Sequence, residues 1–354
     1  MGQATWMIYG AYGYTGRLIA REAKERGMAP ILAGRKGNAL APLVSELGFE
    51  ARSFSLDSAD EAQEALGDVD VVLHCAGPFS QTSTPMLNAC IQTQTHYLDI
   101  TGEIAVFESI HDQSIRWKEA GIVVIPGVGF DVVPSDCLAA LLKRELPDAT
   151  HLRLAFSSVG GRLSPGTTKT MLEGLREGNS MVRRNGILTS IPAGSLVDEI
   201  PFAGGAAQAV AIPWGDVSTA FYSTGIPNIE VYMAASDKEI RQMRMAARMT
   251  WFLKLPGVVP FLQKQIGKRV KGPNDAQRAS GESRLWGEAR NDAGRRVVMT
   301  MRTPEGYTHT VHASLGAVAH LLEHQLEPGA YTPSMAFGAD YVLGLPGVEV
   351  HHVE

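Results

Sequence analysis

The feature that most constrains this chain is the run Gly10-Ala11-Tyr12-Gly13-Tyr14-Thr15-Gly16, which follows an apolar strand pattern at Trp6–Tyr9 and opens an amphipathic stretch. The first glycine permits a tight turn, the second lets backbone approach a phosphate, and the third lets a helix close against a strand. The amide groups at the start of that helix then face outward, where an anion is favoured. A lone glycine motif is weak, and its plain alternative is an ordinary turn. Its position between strand and helix, at the head of a βαβ series, points to a dinucleotide-binding turn with Gly10, Tyr12, Gly13, Tyr14, Thr15 and Gly16 as candidate cofactor contacts.

The pattern downstream agrees with that reading. Short apolar runs at Pro30–Ala33, Arg52–Leu56, Asp70–Cys75, His96–Ile100 and Ile122–Ile125 predict further strands. Helices are predicted from about Gly16 to Arg26, from Ser58 through Leu66 behind a Ser-x-x-Glu capping box, and from Thr84-Pro85 onward. Parallel strands joined by helices form one doubly wound sheet, with ligands at the carboxyl ends of the strands. After Pro134 the alternation is lost. A helix over Ser135–Leu146 leaves the first domain, and residues 283–313 predict a three-strand meander followed by an apolar helix from about Ser314 to His324. The expected division is a dinucleotide-binding domain over 1–135, a substrate domain over 136–325, and a segment over 326–354 that returns to the first domain.

The strand ends supply the candidate chemistry. The second strand ends in Gly34-Arg35-Lys36, where a site for an unphosphorylated ribose would place an acid, so Arg35 and Lys36 are suited to clamp a 2′-phosphate. This favours NADP(H) over NAD(H). Asp57, at the end of the third strand, is a weaker candidate for the adenine edge. Ala76, Gly77 and Pro78 end the fourth with small residues, so backbone can approach the nicotinamide ribose. Asp99, Glu103 and Asp131 end the fifth and sixth, as candidate catalytic acids or as helix caps.

Composition and missing motifs narrow the class. With 354 residues, 45% hydrophobic and 19% charged, the chain can bury two cores, and a net charge of −5 argues against a nucleic-acid binder. The three cysteines, Cys75, Cys90 and Cys137, form no CxxC pair, so no metal site is expected and a reducing, cytoplasmic setting fits. The first residues carry no signal-peptide pattern. No tyrosine is followed four residues later by lysine, and there is no Gly-x-Ser-x-Gly, P-loop or His-Glu-x-x-His pattern. His309 and His312 read as satisfied strand histidines.

Gly10–Gly16, Leu32-Ala-Gly-Arg35, Cys75–Phe79, Thr95–Glu103 and Gly129–Asp136 together resemble the saccharopine dehydrogenase-like oxidoreductases, in particular the branch holding the trans-acting enoyl reductases. The likeness thins to Gly160–Thr168 and Trp286-Gly287-Glu288 beyond them. It implies an α/β protein, with an N-terminal NADP-binding Rossmann domain and a C-terminal α+β domain carrying a mixed or antiparallel sheet. It leaves the reaction open between reduction of an enoyl, acyl or isoprenoid-like substrate and saccharopine-type chemistry on amino acids. The latter needs basic residues for two carboxylates, for which Arg162, Lys169, Arg183 and Arg184 are candidates. A non-catalytic NADP-binding protein of lipid surfaces is the third reading. Residues 238–271 hold nine Lys or Arg against the single acid Glu239, beside apolar positions, so a contact with a membrane or a hydrophobic carrier is one expectation and a homodimer contact another.

Overall fold

The computed structural model describes residues 4–160, 164, 166, 168, 178–248, 250, 258 and 272–353. They fold into two compact units, Met1–Val133 with His309–Gly338, and Pro134–Thr308 with Ala339–Glu354. The 309–325 stretch, which the sequence pattern groups with the second domain, thus lies in the first unit, and the chain's last residues lie in the second.

The first unit is built on β1 (Trp6–Tyr9), β2 (Ile31–Gly34), β3 (Ala51–Ser53), β4 (Val71–His74), β5 (His96–Asp99) and β6 (Val123–Ile125). Gly329–Ala330 adds a short seventh strand beside β6, and the order across the parallel sheet is β3-β2-β1-β4-β5-β6 and then Gly329–Ala330. Both faces are covered over the middle of the sheet, so β1, β2 and β4 are buried at every position. On β1, Trp6 and Ile8 enter one core with Ile19, Leu40, Leu315 and Val318, while Met7 and Tyr9 enter the other with Leu66, Met86 and Trp117. Helix α1 (Tyr14–Glu25) buries Gly16, Ile19, Ala20 and Ala23, a helical stripe of small residues that seats it close to the sheet.

Three local expectations need correction. Helix Phe79–Thr93 starts five residues before Thr84-Pro85 and holds Pro85 in its interior. The reason is tertiary: the Glu103 carboxylate accepts from the Phe79 and Ser80 amides, each at 2.8 Å, and so caps the earlier start. A helix over Gly37–Leu47, containing Pro42, fills a stretch that no strand or helix pattern marked. Finally, Thr308–His312 belongs to helix Gly306–Glu323 and not to a third meander strand. The Glu305 carboxylate accepts from the amides of Tyr307 and Thr308 at 2.9 and 3.2 Å, and Val311, Leu315 and Val318 share a core-facing stripe that outweighs the β-branched alternation.

The second unit carries a nine-stranded mixed sheet. His151–Val159 pairs parallel with Asn228–Ala234 and antiparallel with Glu282–Arg290, which pairs in turn with Arg296–Pro304. Leu138 and Leu142 of helix Val133–Glu145 press against this sheet at Gly287, where a Cβ would stand 2.7 Å from Leu142. Helix Asp237–Arg248 buries Ile240 alone among its residues, and Met245 is 60% exposed. The apolar half of the basic stretch, at residues 251–257 and 259–271, lies outside the described residues. Among the described residues, no helix is long and apolar enough to cross a membrane.

Candidate functional site

Strand order reverses between β1 and β4, so the turns leaving their carboxyl ends diverge and open a crevice there. Gly10 leaves β1 with φ +89°, a backbone angle that glycine adopts without steric cost. Its amide and that of Ala11 both donate to the Ala33 carbonyl, at 2.8 and 3.1 Å, which ties the turn to β2. A Cβ on Gly10 would stand 2.9 Å from Ala76, and one on Gly16 would stand 2.4 Å from the Gly10 carbonyl. No side chain caps α1: its N-cap is Gly13, with extended backbone, and Tyr14 and Thr15 form the first turn. An uncapped helix start behind a turn with no room for side chains fits a pyrophosphate.

The β2 rim fits the adenosine end. The Tyr12 ring lies over Gly34, where a Cβ would stand 2.6 Å from it. Arg35 is exposed and has no ion pair among the described residues, and Lys36 is the N-cap of helix Gly37–Leu47 with no side-chain cap. Asp57 accepts a hydrogen bond from the Ser55 hydroxyl at 2.9 Å. The two rims converge on Tyr9, whose phenol burial pushes up to about 12, against the Arg35 charge and with that of Asp57.

Past β4, Gly77–Pro78 is a cis peptide, and the Thr82 hydroxyl donates to the carbonyls of Ala76 at 2.8 Å and Pro78 at 3.1 Å. The three candidate acids occupy different settings. Asp99 is fully buried and accepts from the Tyr97 hydroxyl at 2.7 Å and from the amides of Thr101 and Gly127, each at 2.9 Å. Burial lifts its carboxyl to about 6 in spite of these three donors. It ties the end of β5 to the loop after β6. Glu103 spends both oxygens on the amides of Phe79 and Ser80, so it locks the helix that follows Ala76–Pro78. Asp131 makes no hydrogen bond among the described residues. It is half-buried with Oδ2 against Gly102, where a Cβ would stand 2.8 Å away, and burial raises it to about 6.

Further groups on this rim escape a reading of the sequence. His74, fully buried at the end of β4, has Nδ1 3.2 Å from the Tyr97 hydroxyl, and burial pushes its imidazole down to about 3. The Thr310 hydroxyl accepts from the Phe130 amide at 3.0 Å, and the His309 ring lies edge-on to Phe130 at 6.0 Å. No local pattern signals those last two, because they come from a helix 180 residues further along the chain. In the second unit, Arg183 is 3% exposed, donates to the carbonyls of Val217 and Gly186 at 2.9 and 2.8 Å, and lies over the Phe221 ring. Arg184 pairs with Glu230. Arg162 and Lys169 lie outside the described residues.

Residues 6–125 match the family model of the saccharopine dehydrogenase NADP binding domain. The first unit therefore contains an NADP-binding domain of an oxidoreductase family, and the resemblance read from its motifs is borne out. A trans-acting enoyl reductase of Mycobacterium leprae is 36% identical over 153 residues, 41% of this chain and 37% of that protein. One of Mycobacterium tuberculosis is 31% identical over 191 residues, 49% of this chain and 45% of that protein. The matched stretch thus spans less than half the length of these relatives. Apo saccharopine dehydrogenase (L-Glu forming) from Saccharomyces cerevisiae covers 99% of this chain and 100% of its own, with a TM-score of 0.66 at 12% identity, and shares the fold.

Proposed function

We propose that the protein is an NADP(H)-dependent reductase of an apolar substrate, an enoyl or acyl compound activated by a carbonyl group. The observation that carries this reading is the 36% identity to a trans-acting enoyl reductase, together with the glycine turn and strand-end rim that the first unit presents. NADPH, when bound, supplies a hydride. The chain's own work is to hold the pyrophosphate at Gly10–Gly16 and the 2′-phosphate at Arg35 and Lys36. Glu103 and Thr82 fix the Ala76–Pro78 turn from behind, through the contacts they make with it and with the helix that follows.

Reduction of a carbon–carbon double bond also needs a proton. Asp131 is the acid we assign to that step, because burial holds its carboxyl partly protonated near neutral pH and no hydrogen bond among the described residues ties it down. Asp99 has the same raised range but is wholly enclosed by its three donors. The saccharopine-type reading is disfavoured by Arg183 and Arg184, which are committed to carbonyls, Phe221 and Glu230.

The test is NADPH oxidation, followed by absorbance, with a panel of enoyl thioesters and enones against glutamate plus an aldehyde. Turnover of the first group alone supports the reading. Turnover of the second group alone replaces it, and tight NADPH binding with neither reaction reduces the chain to a cofactor-binding protein.

A further inference from the structure

His309 is fully buried, and neither ring nitrogen has a hydrogen-bond partner among the described residues. Buried polar groups are nearly always paired, and one that is not calls for a bound water, an ion or a ligand to complete it. A phenylalanine or leucine would fill the same place in the helix without leaving two polar atoms unsatisfied. The ring packs against the loop that leaves the carboxyl end of β6. It lies edge-on to Phe130, and the adjacent Thr310 hydroxyl holds the Phe130 amide at 3.0 Å. The next residue of that loop is Asp131, the half-buried acid with no hydrogen bond of its own among the described residues. An imidazole edge-on to Phe130 and the carboxyl of the next residue, Asp131, thus both lack a hydrogen-bond partner among the described residues, at the loop that leaves β6.

We infer that His309 is a substrate-binding residue whose neutral imidazole donates a hydrogen bond to the carbonyl oxygen of the reducible acyl group. The inference rests on the enoyl-reductase reading above. Neutral imidazole offers one donor and one acceptor, and burial, which pushes His309 down to about 3, keeps it in that form. The neighbouring charge that opposes protonation is His312. In the reduction, hydride adds to the β-carbon and the double-bond pair moves through the α-carbon to place negative charge on the carbonyl oxygen. A hydrogen-bond donor held at that oxygen stabilises the charge as it develops. The α-carbon then takes the Asp131 proton, the carbonyl re-forms, and the Asp131 carboxylate regains a proton from water.

The experiment uses the full chain with NADPH, a saturated acyl thioester that has no double bond to accept hydride, and the matching thioether, which lacks the carbonyl. In the wild type, the 15N shifts of the His309 imidazole should move on adding the thioester and stay in place with the thioether. His309→Phe should weaken thioester binding about tenfold or more, leave thioether and NADPH binding within about twofold, and melt no lower than the wild type. His309→Gln, which keeps a donor, should recover part of the loss. Unmoved imidazole shifts, or equal thioester affinity in wild type and His309→Phe, would overturn the assignment while leaving the enoyl-reductase reading standing. A wild type that neither binds the thioester nor reduces its enoyl counterpart would overturn both.

Discussion

Replacing Glu103 separates a structural carboxylate from a catalytic one. Its two bonds to the Phe79 and Ser80 amides, both 2.8 Å, hold the start of the helix that follows Ala76–Pro78. The bond to Phe79 is partly buried and charge-assisted, worth about 1.5–3 kcal/mol, whereas water can replace the exposed one at Ser80, which leaves about 0.5–1 kcal/mol. Together the two bonds mean that Glu103→Ala should cost about 2–4 kcal/mol. For a domain of this size that corresponds to a fall in Tm of roughly 5–15 °C. Glu103→Gln offers one acceptor and turns an N–H toward the second amide, so its loss should be intermediate. Thermal unfolding, with and without NADPH, measures the effect. NADPH affinity should also fall, by about tenfold, as the Ala76–Pro78 turn loosens. The pH profile of turnover should keep its shape. If Glu103→Gln melts like the wild type and instead removes an ionisation from that profile, Glu103 is an acid or base in the reaction and the capping role is refuted.

Other expectations follow from the same rim. Arg35→Asp should weaken NADPH binding by about 1–3 kcal/mol, roughly 5- to 150-fold, with little effect on NADH; equal cofactor affinities in the wild type would contradict it. Gly16→Ala places a Cβ 2.4 Å from the Gly10 carbonyl, so the turn must open, and cofactor titration should show a loss of about 1–3 kcal/mol. Turnover should fall as pH rises through about 6, because the proton donor proposed is the protonated Asp131 carboxyl; Asp131→Asn should flatten that limb and slow turnover by about 10²–10⁴-fold. The folded pKa of Asp131 lies above the unfolded value of about 3.9, so its contribution to stability is present at low pH and is lost as pH rises toward 6. Denaturant unfolding across that window should therefore be less pH-dependent in Asp131→Asn than in the wild type.

The parts of this protein legible in the sequence are those that depend on neighbours a few residues away. The Gly10–Gly16 turn, the apolar strand runs, the Ser58 cap and the missing acid after Gly34 each follow from local backbone angles, side-chain size or charge, and these the bare chain displays. What the sequence leaves open is every contact closed across a long loop. The start of helix Phe79–Thr93 depends on Glu103, 24 residues on, and the separate settings of Asp99, Glu103 and Asp131 depend on which strand-end amides reach each carboxylate. Thr308–His312 alternates as a strand would, yet it is helical because Glu305 caps its start and Val311, Leu315 and Val318 find a core among strands and helices near the chain's beginning. That same packing brings His309 to the rim beside Phe130 and sets Gly329–Ala330 beside β6. Periodicity encodes which face of an element is apolar; only the assembled sheet decides which distant face it meets, and so which polar groups are left to bind a ligand.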